Sequence, residues 1–222
     1  MWARLRHKCV FTSQERVRRL MREHNLSAWL GRGTPRGSKA HDGSSIGRTI
    51  DTMWGTDMTT TVTLEEGQAA VFITYDHCSE ECVGIHAFRG QSRWKALEPI
   101  RRGVKDHFGT ARENIAKGLS LWHDHGTQYR AYDFQKESKW PWIASSPAFV
   151  RMPECNGCAE WFIRTLKENL LWVRHFKTIE KLRLALLKLR KIYTKKWVMH
   201  RHRYKNPAQF RRDIMDNRAR TA

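Results

Sequence analysis

The chain has 222 residues, 40% of them apolar, with ten Trp and nine Phe; that is enough for one sizeable core and excludes a disordered basic tail. Its 41 Lys and Arg against 22 Asp and Glu leave a net charge of +19, the footprint of a protein whose partner is a polyanion, nucleic acid being the commonest. No run approaches the roughly 18 apolar residues of a membrane span, and Met1 to Lys8 lacks the apolar centre of a signal peptide. Five cysteines are an odd number for a disulfide framework, so a reducing cytoplasm and no membrane partner are expected.

Residues 12–25 read as a basic helix, with Thr12 and Glu15 spaced as a capping box and Val17, Leu20 and Met21 as its apolar stripe. A Gly/Pro/Ser-rich stretch from Gly31 to Gly47 reads as a linker. Strand-like runs follow at Met53–Val62, Ala69–Tyr75 and Val83–Phe88, the first two joined by a turn at Glu65-Glu66-Gly67. A helix is expected over Ser92–His107, a strand at Leu119–Trp122, a helical piece at Tyr132–Trp140 and a brief strand at Trp142–Ala144. Apolar residues at helical spacing (Ala159, Phe162, Ile163, Leu166, Leu170) predict a helix over Ala159–Val173, and Ile179, Leu182, Leu186, Leu189 and Tyr193 predict another over Thr178–Trp197. The remainder, His200–Arg220, is basic and interrupted by Pro207. Three strands followed by alternating helices and strands describe an α/β sandwich with a mixed sheet flanked by helices.

Three acidic residues stand where chemistry is usually placed. Asp57 lies in the first strand, Asp124 ends the fourth, and Glu160 opens a helix. An Asp inside a strand is costly to bury unless it pairs or binds a cation. Two Asp near strand ends and a Glu from a helix can form an oxygen cage for Mg²⁺, or for two such ions about 4 Å apart. Taken singly, each acid reads better as a turn former, a helix-start charge or a solvated side chain than as a metal ligand. The pairs Cys78/Cys82 and Cys155/Cys158 are too far apart in sequence, and lack the flanking glycines, to read as a zinc site.

Thirty-five residues separate Asp124 from Glu160. With the words Met53-Trp54-Gly55-Thr56-Asp57-Met58-Thr59, Asp76-His77-Cys78-Ser79, His123-Asp124-His125-Gly126-Thr127-Gln128-Tyr129, Ser145-Ser146-Pro147 and Asn156-Gly157-Cys158-Ala159-Glu160, the chain resembles D,D-35-E transposases and retroviral integrases. It is most similar to the second-frame transposase of bacterial insertion sequences, over residues 12 to 212 or so. The resemblance implies a ribonuclease H-like core at 51–198, preceded by a partial helix-turn-helix-like arm at 1–30 and a linker at 31–50, and followed by a basic C-terminal tail at 199–222.

It also implies that Asp57, Asp124 and Glu160 are the catalytic triad and hold Mg²⁺ or Mn²⁺, as two ions. The implied reaction is hydrolytic nicking at element ends followed by attack of a 3′-hydroxyl on target DNA, at the nucleoid. Lys167 lies two helical turns beyond Glu160 with Arg164 between them, so both are candidate phosphate contacts, together with Asn156 and Gln128. The alternative for the two cations is a solvated charged face. His123 and His125 are expected to support the triad by hydrogen bonding, because Mg²⁺ prefers oxygen ligands. Asp76 reads as a structural or supporting carboxylate.

The partners implied are element ends and target DNA, further copies of the chain assembled on DNA, and a separate helix-turn-helix polypeptide for end recognition, since only the end of that segment is legible here. Trp161 and Trp122 stand where the family usually has Arg, Cys155 where it has Gly, and Thr194 where it has Asn. These departures carry the alternative reading, a catalytically impaired DNA-binding remnant. A stand-alone nuclease of ribonuclease H type is disfavoured by the Asn156-Gly157-x-x-Glu160 word and the long basic helix near the end.

Overall fold

The computed structural model describes residues 1–27, 49–90, 93–110, 114–123, 129, 134, 136, 144–147 and 157–221. The expected linker from Gly31 to Gly47 and most of the expected helix at 132–140 lie outside them. Two short helices lead, α1 (Trp2–His7) and α2 (Gln14–Glu23). Ser13, not Thr12, caps α2: its backbone is extended and its hydroxyl accepts from the Arg16 amide at 3.2 Å. Glu15 is spent on Arg18 instead of closing a capping box.

Strands β1 (Met53–Thr63), β2 (Gly67–Asp76) and β3 (Cys82–Arg89) form an antiparallel meander. Gly67, at φ +74°, takes the left-handed turn position that a side chain resists. Helix α3 (Arg93–Phe108) then crosses one face, and β4 (Ser120–His123) and β5 (Ala144–Pro147) add in parallel beyond β1. The sheet is mixed and five-stranded in the order β3-β2-β1-β4-β5. This is the α/β architecture expected from the strand and helix periodicities.

Strand alternation divides the molecule into two cores. Val71, Ile73 and Tyr75 of β2 point to one face, where they meet Phe162, Leu166, Leu182 and Leu186. Ala70 and Phe72 point to the other, where they meet Trp54, Leu97, Ile100 and Leu121. The helices on the first face are α4 (Gly157–Leu166) and α5 (Ile179–Lys196). Gly84 allows α3 to approach β3 closely: a Cβ there would lie 2.0 Å from the Pro99 carbonyl oxygen.

The helix expected over Ala159–Val173 changes gauge. After Leu166 it widens into a π-helical turn, Lys167–Leu171, in which the Trp172 amide donates to the Lys167 carbonyl at 2.9 Å. The cause is local: the Asn169 side chain donates to the Thr165 carbonyl at 2.8 Å, the acceptor that Asn169's own amide would use in an α-helix.

Helix α6 (Pro207–Thr221) occupies the span read as a basic tail. Pro207, read there as an interruption, is its first residue, where a missing amide costs nothing. Asn206 and Gln209 form a reciprocal capping box, at 2.8 and 3.1 Å. The exposed edge of β3 is covered by arginines from α5. Arg190 donates to the carbonyls of Cys82 and Val83, each at 2.7 Å, and Arg183 to that of Ala87 at 2.8 Å. These two cations are committed to the sheet.

Candidate active site

Asp57 sits in mid-β1, opposite Ile73 of β2. Residues directly opposed in a sheet project to the same face, and Ile73 belongs to the core beneath α4 and α5. Asp57 therefore lies on the α4 side of the sheet, half-buried, with its Oδ1 accepting from the Met58 amide at 2.7 Å. The strand is shaped for this. Gly55, the preceding residue on that face, lies under the Tyr75 ring; a Cβ on Gly55 would come within 2.2 Å of the Tyr75 hydroxyl. That hydroxyl is 3.0 Å from His77 Nε2, so the ring is held from both sides.

Glu160 lies in the first turn of α4 and is exposed. Its neighbours along the helix explain its direction. Ala159, Phe162, Ile163 and Leu166 are buried against the sheet, and Glu160 flanks that stripe one turn before Ile163. Thus two carboxylates, one from a strand and one from a helix packed on it, lie on one side of the sheet. Both are hard oxygen donors of the kind Mg²⁺ prefers.

Asp124 lies outside the described residues, as do Asn156, Gln128, His125 and Cys155. His123, the last described residue of β4, pairs with Thr56, the residue before Asp57, across the parallel β1/β4 ladder.

Lys167 is half-buried at the junction of α4 with the π turn. Turns of this kind recur at functional sites. Seven residues at 100° each return almost to the starting azimuth, so Lys167 is aligned with Glu160 along the helix. Arg164 is exposed and its Nε donates to Glu168 Oε1 at 2.8 Å, which raises its pKa.

His123 is buried on the opposite face of the sheet from Asp57, stacked on Tyr129 with ring centres 5.3 Å apart and edge-on to Phe134. Its parity is that of Thr56, one residue out of phase with Asp57. Asp76 is fully buried and accepts from the Ser79 amide and hydroxyl at 3.0 and 2.7 Å; burial raises its pKa. It is a structural carboxylate of the β2–β3 turn. Cys78 and Cys82 are buried thiols, pushed by burial to about 11 and about 12. Among the described residues no three His, Cys, Asp or Glu side chains gather as a ligand cluster.

Sequence reasoning missed Arg211 of α6. It donates through Nε to Glu81 at 2.7 Å, through Nη2 to Asp51 at 3.1 Å, and lies 3.5 Å from Asp76. These partners are 130 and more positions away along the chain, so no local pattern announces them.

Comparison with known proteins places these observations in context. No family model matches the chain. In sequence it is 24% identical over 178 residues to transposase InsD of the Escherichia coli insertion elements IS2A/D/F/H/I/K, a match covering 77% of this chain and 58% of that protein. The InsD transposase of element IS2-9 from Escherichia coli strain K12 matches with 24% identity over 178 residues, covering 77% of this chain and 57% of that protein. The chain thus spans a little over half the length of the curated relatives it matches. In fold it is similar to the catalytic core domain of HTLV-2 integrase, solved in complex with magnesium, with a TM-score of 0.53 and 15% identity, covering 72% of this chain and 96% of that one. It is also similar to a chain of the simian T-cell lymphotropic virus intasome, with a TM-score of 0.58 and 13% identity, covering 94% and 74%.

Proposed function

We propose that this chain, which resembles insertion-sequence transposases in sequence and integrase catalytic cores in fold, is a metal-dependent DNA transposase that nicks element ends and joins them to target DNA. The observation that carries the reading is the pleat of β1, which sets Asp57 on the side of the sheet where α4 presents Glu160.

In this reading Asp57, Asp124 and Glu160 hold Mg²⁺ or Mn²⁺, as two ions. Bound metal would polarise the scissile phosphate and favour the ionised form of the attacking water or 3′-hydroxyl. The protein's own work is positioning. The strand fixes Asp57, the packed stripe of α4 fixes Glu160, and Lys167 meets a phosphate oxygen along the same helix edge. Arg164 serves the same end only by leaving Glu168, whereas Asn156 and Gln128 are further candidate contacts. Residues 51–198 are the catalytic core in this scheme, acting as a multimer on nucleoid DNA, with end recognition shared with a helix-turn-helix polypeptide.

The test is strand transfer by the purified chain on a labelled element end with Mg²⁺ or Mn²⁺. Product that disappears in Asp57→Asn, Asp124→Asn and Glu160→Gln, each still folded, is the expected result. Tight DNA binding with no product under either metal would replace this reading with that of a non-catalytic DNA-binding protein.

A further inference from the structure

We infer that the cleft between α1 and the C-terminal end of α5 is a phosphate-binding site for double-stranded DNA, distinct from the candidate active site at Asp57 and Glu160 and holding the duplex that leads away from it. This rests on the proposed function and assigns it a second contact surface. The cleft encloses about 570 Å³, and no carboxylate lines it. Arg4, His7 and Lys8 come from the first helix and its cap, and Lys195 and Lys196 from the last turn of α5, some 190 positions later. None of the four Lys and Arg forms an ion pair with a described residue.

A simpler account of Lys195 and Lys196 is that they complement the negative end of the α5 dipole. The same account covers Arg4, His7 and Lys8 at the C-terminal end of α1, but neither dipole explains why the two helix ends meet. Folding brings two more cations, Arg4 and Lys8, to the same place as Lys195 and Lys196, where like charges repel unless an anion is bound, and it holds this end of α1 there by specific contacts. His7 Nε2 donates to the Tyr204 carbonyl at 2.8 Å, the Arg4 guanidinium lies 5.7 Å over the Trp197 ring, and Trp2 meets Tyr204 edge-on at 5.5 Å. The floor is rigid as well, because Asn206 donates to the Lys195 carbonyl at 2.8 Å while capping α6.

The cleft is also placed to continue from the candidate active site. Trp161, next to Glu160, lies 6.2 Å from Tyr193 between ring centres, and Tyr193 lies 6.0 Å from Trp197, the ring beneath Arg4. A duplex carries a charge every 1.7 Å or so of its axis, so phosphates are available over the whole of this path.

The experiment measures binding of a short fluorescein-labelled DNA duplex by anisotropy over about 0.05 to 0.3 M salt. It compares the full chain with Lys8→Ala/Lys196→Ala and with a control, Lys105→Ala/Lys117→Ala, that removes two exposed charges elsewhere. Each lost phosphate contact lowers the slope of log K against log salt by about 0.9, which is on the order of 5-fold in affinity at 0.15 M salt. The cleft variant is expected to bind on the order of 30-fold more weakly with a slope reduced by about 2, at an unchanged melting temperature, and the control to stay within about 3-fold of the parent. Equal weakening of both variants, or no weakening of the cleft variant, overturns the cleft while leaving the transposase reading intact. A parent chain that shows no salt-dependent duplex binding overturns both. Binding to phosphatidylserine vesicles that the cleft substitutions abolish, with no duplex binding, would assign these cations to a membrane surface instead.

Discussion

Replacing Arg211 with Ala removes the cation that ties α6 to the sheet and leaves three carboxylates behind. Asp76 is fully buried, the Glu81 and Asp51 side chains are 12% and 20% exposed, and the Arg211 side chain is 11% exposed, so solvent screens the network little. Removing one partner of a buried ion pair costs about 3–5 kcal/mol, because the other charge stays behind uncompensated. At about 2–4 °C per kcal/mol for a chain of this size, Arg211→Ala should melt roughly 6–20 °C lower.

The sign of the pH dependence follows from the carboxylates. Burial already raises the pKa of Asp76 and of Glu81, and Arg211 opposes the rise. Without Arg211 both rise further. A carboxylate whose folded pKa lies above its unfolded value stabilises below the unfolded pKa and loses that contribution as pH climbs through the folded one. The deficit of the variant should therefore be larger at pH 8 than at pH 5. Urea unfolding at the two pH values reads this, with Arg211→Lys as a partial rescue that keeps the charge and loses the fork. A deficit below about 1 kcal/mol that is equal at both pH values would refute the reasoning.

Gly55→Ala should cost about 1–3 kcal/mol in chemical denaturation, because a Cβ meets the Tyr75 ring; Gly84→Ala should cost more, because there the obstacle is the backbone carbonyl of Pro99. The reverse order would disprove the close approach of α3. His77 is buried and its pKa is lowered by that burial from 6.5 to about 4, so an NMR titration should find it neutral down to about pH 4. Its contribution to stability is complete above pH 6.5 and is lost as pH falls toward 4, opposite in sign to that of Asp76 and Glu81. Millimolar Mg²⁺ should raise the melting temperature of the parent chain and leave that of Asp57→Asn unchanged, since a ligand stabilises only the state that binds it.

Much of this molecule was readable from spacing alone. Period-two and helical patterns located β1 to β4, α3 and α5 to within a few residues, because each buries a face whose periodicity is written in the chain. The placement of Asp57 within a strand and of Glu160 in the first turn of a helix was legible for the same reason. Other features have no local signature. The π turn at Lys167 arises from one side chain of Asn169 competing for a carbonyl, and Pro207 starts a helix only because Asn206 and Gln209 cap each other there.

The amino-acid order by itself determined β1 to β4 and the helices α2 to α5, the overall positive charge, and the words that mark the resemblance to insertion-sequence transposases. Tertiary structure alone decided which cations are spent and which are free. Arg183, Arg190 and Arg211 are consumed by a sheet edge and a buried carboxylate network, whereas Lys195 and Lys196 meet Arg4 and Lys8 in a cleft where none of the four has an ion-pair partner among the described residues. Charge is a property of each residue, but its partner is set by packing between segments 80 to 190 positions apart, which no local pattern encodes.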